Sequence, residues 1–175
     1  GTDRIADYFG NFDFATTIST ACSSALNAII VGAEMIESGL KDIIVVGGTE
    51  SLSRFHLNGF KSLMILDQNI CRPFNADRAG LNLGEGAGFI VIESEESAKK
   101  RGANVLAELK GTGNACDAYH QTASSENGEG AFLAMSKAVA EAGIHVDDIQ
   151  YVNAHGTGTP NNDACESSAL SRVFG

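Results

Sequence analysis

The sequence predicts an α/β fold, and three features carry that expectation. Amphipathic helical stretches alternate with short Ile- and Val-rich runs along the chain. The 175 residues, 43% hydrophobic and 19% charged, contain enough apolar material to bury a real core. Twenty glycines against two prolines point to tight loops between packed elements rather than to linkers.

The elements follow in order. Leu26, Ile29, Ile30, Ala33 and Ile36 recur at helical spacing, which predicts an amphipathic helix over about 23–38, with Gly39 just past its C-terminal cap. "DIIVVGGTES" (42–51) reads as a strand buried on both faces. Following the helix so closely, it reads as half of a βαβ unit. Residues 52–70 read as helix and loop. "CRPFNADRAGLNLGEGAG" (71–88) is too polar and Gly-rich for a core element. Its last glycines precede the strand "GFIVIES" (88–94), whereas a dinucleotide fingerprint needs them after one. They are expected instead to pack tightly at the strand entrance. "EESAKKRG" (95–102) is a short helix closed by Gly102. "NVLAELKGTGNACD" (104–117) begins as a strand and becomes a loop. "GEGAFLAMSKAVAEAGI" (128–144) is a helix with Phe132, Met135, Val139 and Ala142 on one face. "DIQYVNAHGTGTP" (148–160) is a strand ending in a sharp loop, and "NDACESSALSRVFG" (162–175) is a helix capped by Asp163 or Asn162. A boundary near 95–104 separates two pieces.

Composition narrows the function. A formal net charge of −10 disfavours nucleic-acid binding, and Lys99, Lys100 and Arg101 form the only basic run, read as solvated surface. Cys22, Cys71, Cys116 and Cys165 form no CxxC pair, so a zinc knuckle is disfavoured and reduced thiols in the cytoplasm are expected. No apolar run is long enough to span a bilayer and no signal peptide is visible. The chain lacks an initiator Met and reads as a piece of something longer.

Several residues could carry chemistry. Cys22, among the small residues of "TACSSA", is either a small buried hydrophobe or a nucleophile at a helix N-terminus. In the second case the Ser24 and Ala25 N–H groups would point at the thiol and favour thiolate. His155 follows the apolar run "IQYV", at the kind of strand end where open α/β sheets bind ligands. Gly156 and Gly158 would let backbone approach a ligand, and Thr157 and Thr159 add hydroxyls. A structural histidine is the bland alternative. Asp117 and His120 share one loop, where they either position a substrate or water or bond each other. Asp163 and Glu166, at i and i+3, share a helix face or merely complement the helix dipole. His56 and His145 read as surface or packing residues. Collecting His120, His155, Asp163 and Glu166 around a metal has no HExxH or close His pair behind it, so no metal is expected.

"TACSSA", "RPFNADRAGLNLGEGAG", "DAYHQT" and "NAHGTGTPNNDACE" occur in this order across essentially the whole chain. Together they resemble the β-ketoacyl-acyl carrier protein synthases, the condensing enzymes of fatty acid and polyketide synthesis. The resemblance implies a thiolase-like αβαβα layered sandwich, here partial. Residues 1–98 would be the later part of the N-terminal half and 99–175 the start of the C-terminal half. It implies that Cys22 takes the acyl chain as a thioester and that His155 polarises the donor thioester during decarboxylation. Thr157 and Thr159 would contact the phosphopantetheine arm, and Asp117 and His120 would lie near the acyl and malonyl pocket. Asp163 and Glu166 would support the site. No cofactor of its own is implied, the phosphopantetheine being carried by the partner acyl carrier protein. A homodimer is implied, with "FDFATTIST" (12–20) contributing a strand at its interface. A second catalytic histidine, a lysine and an oxyanion loop would lie outside these 175 residues, leaving the isolated piece inactive. Many members carry Asp where Asn75 and Ala79 stand. The competing functions are a thiolase-type acyltransferase, a non-catalytic partner subunit of the same fold, or a binding module in which Cys22 is inert.

Overall fold

The computed structural model describes residues 1–10, 12–120 and 123–175. These fold as α1 (Thr2–Phe9), α2 (Ser24–Glu37), β1 (Ile43–Glu50), α3 (Arg54–Ser62), β2 (Gly86–Glu93), α4 (Glu95–Arg101), α5 (Glu129–Ala142) and α6 (Pro160–Phe174), with 3-10 turns at Ala21–Ser23 and Val146–Asp148. The chain divides into two compact units, Gly1–Ser51 with Gly84–Ala107, and Leu52–Leu83 with Glu108–Gly175.

In the first unit β1 and β2 pair antiparallel, from Ile43 opposite Glu93 to Glu50 opposite Gly86. Helix α2 covers one face of this pair. Contact is close because Gly32 has no side chain: a β-carbon there would lie 2.8 Å from both Val46 Cγ1 and Ile92 Cδ1. Gly39, with φ +72°, ends α2. Its N–H donates to Ile36 O and the Leu40 N–H to Met35 O, both at 2.9 Å, which satisfies carbonyls the helix would otherwise leave bare. Helix α4 is capped by Ser94, whose hydroxyl accepts the Ser97 N–H, and closes at left-handed Gly102.

In the second unit α5 packs on α6, with Cys165 and Ala169 buried. The Arg172 guanidinium lies 3.8 Å from the Phe132 ring centroid and bonds Glu129 at 2.9 Å, joining the two helices. Residues 110–114 lie along α5. Glu141 accepts both the Thr112 N–H at 2.8 Å and its hydroxyl at 2.9 Å, and a β-carbon on Gly111 or Gly113 would overlap α5 carbonyls.

The helices at 23–38, 95–102 and 128–144 and the strands at 42–51 and 88–94 form where the sequence pattern puts them. Other expectations are corrected. Helix α1 is not foreseen. Among the described residues β1 has no parallel partner of a βαβ unit; the strand it pairs with is antiparallel β2. It is also not buried on both faces: Val46 is buried against α2, while Ile43 and Val45 on the other face are exposed. The apolar stretches within 104–117 and 148–160 form no strand, nor do the described residues of 12–20. A strand exists only through a neighbour's ladder hydrogen bonds, and none pairs with them among the described residues. Val105, Leu106, Leu109 and Tyr151 accordingly stand exposed. Gly84, Gly86 and Gly88 face open space. Near them the crowding falls instead on Gly47, facing the Gly88 carbonyl across the strand pair, and on Gly80, against Ile65. Helix α6 starts two residues early, at Pro160 after Thr159, so neither Asn162 nor Asp163 caps it.

Candidate active site

Each unit holds part of the candidate machinery. In the first, Cys22 sits in the 3-10 turn ahead of α2 and its residue is exposed. The turn is strained, because Ala21 adopts φ +54°, a left-handed conformation that costs a residue with a β-carbon about 1 kcal/mol. Four polar residues hold it there. The Ser24 hydroxyl donates to Ala21 O at 2.6 Å and accepts the Thr20 N–H at 2.8 Å. The Ser23 hydroxyl donates to Thr20 O at 2.8 Å, and buried Asn27 donates to Thr20 Oγ1 at 2.8 Å. The expectation that the Ser24 N–H points at the thiol is corrected: it donates to Ala21 O, closing the 3-10 turn. The structure instead lifts Cys22 on a sharp, hydrogen-bonded corner. Ser23, Ser24 and Asn27 are the residues sequence reasoning missed. Their signal was the polar spacing of 20, 23, 24 and 27 on what otherwise reads as an apolar helix.

In the second unit the loop carrying His155 hangs from α6 by two carboxylates. Glu166 Oε1 accepts the His155 N–H at 2.7 Å and Oε2 accepts the Gly156 N–H at 2.8 Å. Asp163, 1% exposed, accepts the Gly158 N–H at 3.1 Å through Oδ1 and the Phe74 N–H at 2.6 Å through Oδ2. The Arg78 guanidinium offsets that buried charge, with Nε 3.6 Å from Oδ2 and Nη2 donating to Pro160 O at 3.1 Å. Asp163 and Glu166 therefore support the loop through its backbone, and His155 presents an exposed residue. Gly156 and Gly158 have φ of +51° and +74°, so the loop needs them for its path. Thr157 and Thr159 share a hydroxyl–hydroxyl bond of 2.8 Å, and Thr157 Oγ1 also accepts the Thr159 N–H at 3.3 Å.

The "CRPFNADRAG" segment packs on the same loop. Cys71 Sγ donates to Thr157 O at 3.2 Å, and Phe74 takes φ +62° to aim its N–H at Asp163. Asn75 Oδ1 accepts the Asp77 N–H at 3.3 Å, a turn-forming role open to Asp as well. Cys71 and Phe74 were missed as site residues, since nothing in their spacing shows that their segment meets residues 156–158, some 85 positions away along the chain.

Asp117 and His120 do not bond each other. Asp117 accepts the Ser125 N–H at 2.8 Å and the Tyr119 N–H at 3.4 Å, while His120 Nδ1 accepts the Ala123 N–H at 3.3 Å. The Ser125 N–H, more than any other contact, holds the Asp117 carboxyl below the usual carboxylate range. Gln121 and Thr122 of the "DAYHQT" motif lie outside the described residues. Among the described residues no three His, Cys, Asp or Glu side chains gather as a metal-binding group. His145 caps the 3-10 turn at Val146–Asp148, and Ser53 caps α3 by accepting the His56 N–H.

Known proteins define the class. The fold matches, over 99% of this chain and 43% of the other, a solved structure described as the ishigamide ketosynthase/chain length factor, with a TM-score of 0.94 and 39% identity. It is thus part of a thiolase-like ketosynthase fold. The beta-ketoacyl synthase N-terminal domain matches residues 3–98 and the beta-ketoacyl synthase C-terminal domain residues 106–175. This chain belongs to the β-ketoacyl synthase family. Among similar proteins are nodulation protein E of Rhizobium meliloti, 43% identical over 90% of this chain and 39% of that protein, and 3-oxoacyl-[acyl-carrier-protein] synthase 2 of Staphylococcus aureus, 44% identical over 89% and 40%. The chain spans about two fifths of the length of these relatives. No helix among the described residues is long and apolar enough to cross a membrane.

Proposed function

We propose that the whole protein is a condensing enzyme that extends acyl chains carried on an acyl carrier protein, with Cys22 as its nucleophile. The Cys22 thiolate attacks the carbonyl of an acyl-carrier thioester, forming an acyl-Cys22 thioester and releasing the carrier thiol. A malonyl thioester then loses carbon dioxide, and the enolate left behind attacks the acyl-Cys22 carbonyl. A new carbon–carbon bond forms as the sulfur leaves, returning the thiolate. His155 donates toward the donor thioester oxygen as negative charge develops there. Thr157 and Thr159 hold the phosphopantetheine arm of the carrier, and Asp117 and His120 border the substrate pocket. Residues 1–98 are the later part of the N-terminal half and residues 99–175 the start of the C-terminal half. The protein uses no cofactor of its own, works in the cytoplasm and pairs with a second ketosynthase-fold subunit, a copy of itself in the simplest case.

The observation that carries this reading is the exposed Cys22 on a strained turn held by Thr20, Ser23, Ser24 and Asn27. A buried structural cysteine needs neither exposure nor strain. The relative named 3-oxoacyl-[acyl-carrier-protein] synthase supports the carrier partner, and the ketosynthase/chain length factor structure supports pairing of two such subunits. The test is to incubate the whole protein with acyl-loaded carrier protein and map adducts by peptide mass spectrometry. The acyl mass on the Cys22 peptide, absent in Cys22→Ala, is expected. A preference for acyl-coenzyme A would favour a thiolase-type acyltransferase. No adduct at Cys22 would overturn the reading in favour of a non-catalytic subunit or binding module.

A further inference from the structure

We infer that Cys71 is a positioning residue for His155, acting through the loop that carries it. The inference rests on the condensing reading above for what His155 does, but not for where Cys71 sits. Its thiol donates to the Thr157 carbonyl at 3.2 Å. It also fills the space beside Gly158, where a β-carbon would come within 2.6 Å of both the sulfur and the Gly80 carbonyl oxygen. Cys71 is itself tied down, because its N–H donates to Asn82 Oδ1 at 2.7 Å, and the Asn82 amide donates to Asp67 O at 3.1 Å and Asn69 O at 3.0 Å.

The loop is gripped from two sides. From α6, Glu166 and Asp163 take the N–H groups of His155, Gly156 and Gly158. From the 71–83 segment, Cys71 takes the intervening carbonyl of Thr157, the acceptor that no carboxylate could hold. The Phe74 ring closes the same side: a β-carbon on Gly156 would lie 3.3 Å from its Cε2. The peptide joining Thr157 to Gly158 is therefore fixed by donation at its N–H and acceptance at its C=O. Freeing one end lets that peptide rotate and carries His155, two residues away, with it. Catalysis that depends on placing an imidazole is sensitive to displacements of about 1 Å, which can cost about 100-fold.

The experiment compares Cys71→Ala, which removes both donor and bulk, with Cys71→Ser, which restores a donor. Both are made in the whole protein with Cys22 intact. The His155 ring is followed by NMR pH titration in histidine-labelled protein, assigned with His155→Gln. Malonyl-carrier decarboxylation and Cys22 acylation are measured separately. In Cys71→Ala the His155 resonances are expected to shift and decarboxylation to fall about tenfold. Acylation and the thermal midpoint should change little, and Cys71→Ser should recover most of the loss. Unmoved His155 resonances with unchanged decarboxylation would overturn the positioning role and leave the condensing reading intact. So would equal loss of both half-reactions in step with a lower thermal midpoint, which marks a merely structural residue. Shifted His155 resonances in a protein that never decarboxylates malonyl carrier would uphold the positioning and overturn the condensing reading.

Discussion

Glu166 holds His155 by its backbone: one carboxylate oxygen accepts the His155 N–H at 2.7 Å, and the other accepts the next N–H along, that of Gly156, at 2.8 Å. Two parallel charge-assisted bonds from one planar group orient successive peptides and so set where the loop carries the His155 side chain. In Glu166→Gln one acceptor becomes an amide donor facing an N–H. The expected loss is about 1–3 kcal/mol of stability, read by chemical unfolding. In the proposed reaction only malonyl decarboxylation uses His155, so it should fall further than Cys22 acylation.

Ala21→Gly tests the strain beneath Cys22. Ala21 sits at φ +54°, where glycine pays no β-carbon penalty. The variant is expected to gain up to about 1 kcal/mol in unfolding free energy. A loss of stability would mean that the left-handed turn carries no strain.

Gly113→Ala tests the seat of the 110–114 segment on α5. The new methyl would overlap the Ala134 carbonyl oxygen, which belongs to helix backbone and cannot swing aside. Destabilisation of about 1–3 kcal/mol is expected. Gly84→Ala, which meets nothing within 4 Å, should stay within about 0.5 kcal/mol of the parent in the same unfolding assay.

The Asp117 carboxyl gives a pH signature. Its folded pKa lies below the ordinary value, chiefly through the Ser125 N–H, so the folded protein binds its proton less readily than the unfolded chain. Its stabilisation is complete above the unfolded value of about 3.9 and disappears as the pH falls through the depressed folded value. Asp117→Asn should be less stable than the parent at neutral pH, with the gap closing in acid. A gap that stays constant with pH would remove the carboxylate from the account.

The local elements were legible because their causes are local. The spacing of Leu26, Ile29, Ile30, Ala33 and Ile36 marks α2 as a helix, though Leu26 is exposed and the residues α2 buries are Asn27 and Gly32; Gly39 and Gly102 stop α2 and α4 in the left-handed conformations that glycine adopts without cost. The strands expected within 104–117 and 148–160 do not form, because a short apolar run records only a readiness to pair. The ladder itself belongs to a neighbour.

By itself the sequence determined the family, through four ordered motifs, along with helices α2 to α6 and the types of residue available for chemistry. Only the tertiary structure decided what those residues touch. It turned Asp163 from a helix cap into a buried clasp between Phe74 and Gly158, gave both Glu166 oxygens to the His155 loop, and set the Cys71 thiol against Thr157. The reason is range: spacing along a chain reports the periodicity of one element, whereas these contacts join positions 5 to 89 residues apart and exist only once the loops have packed.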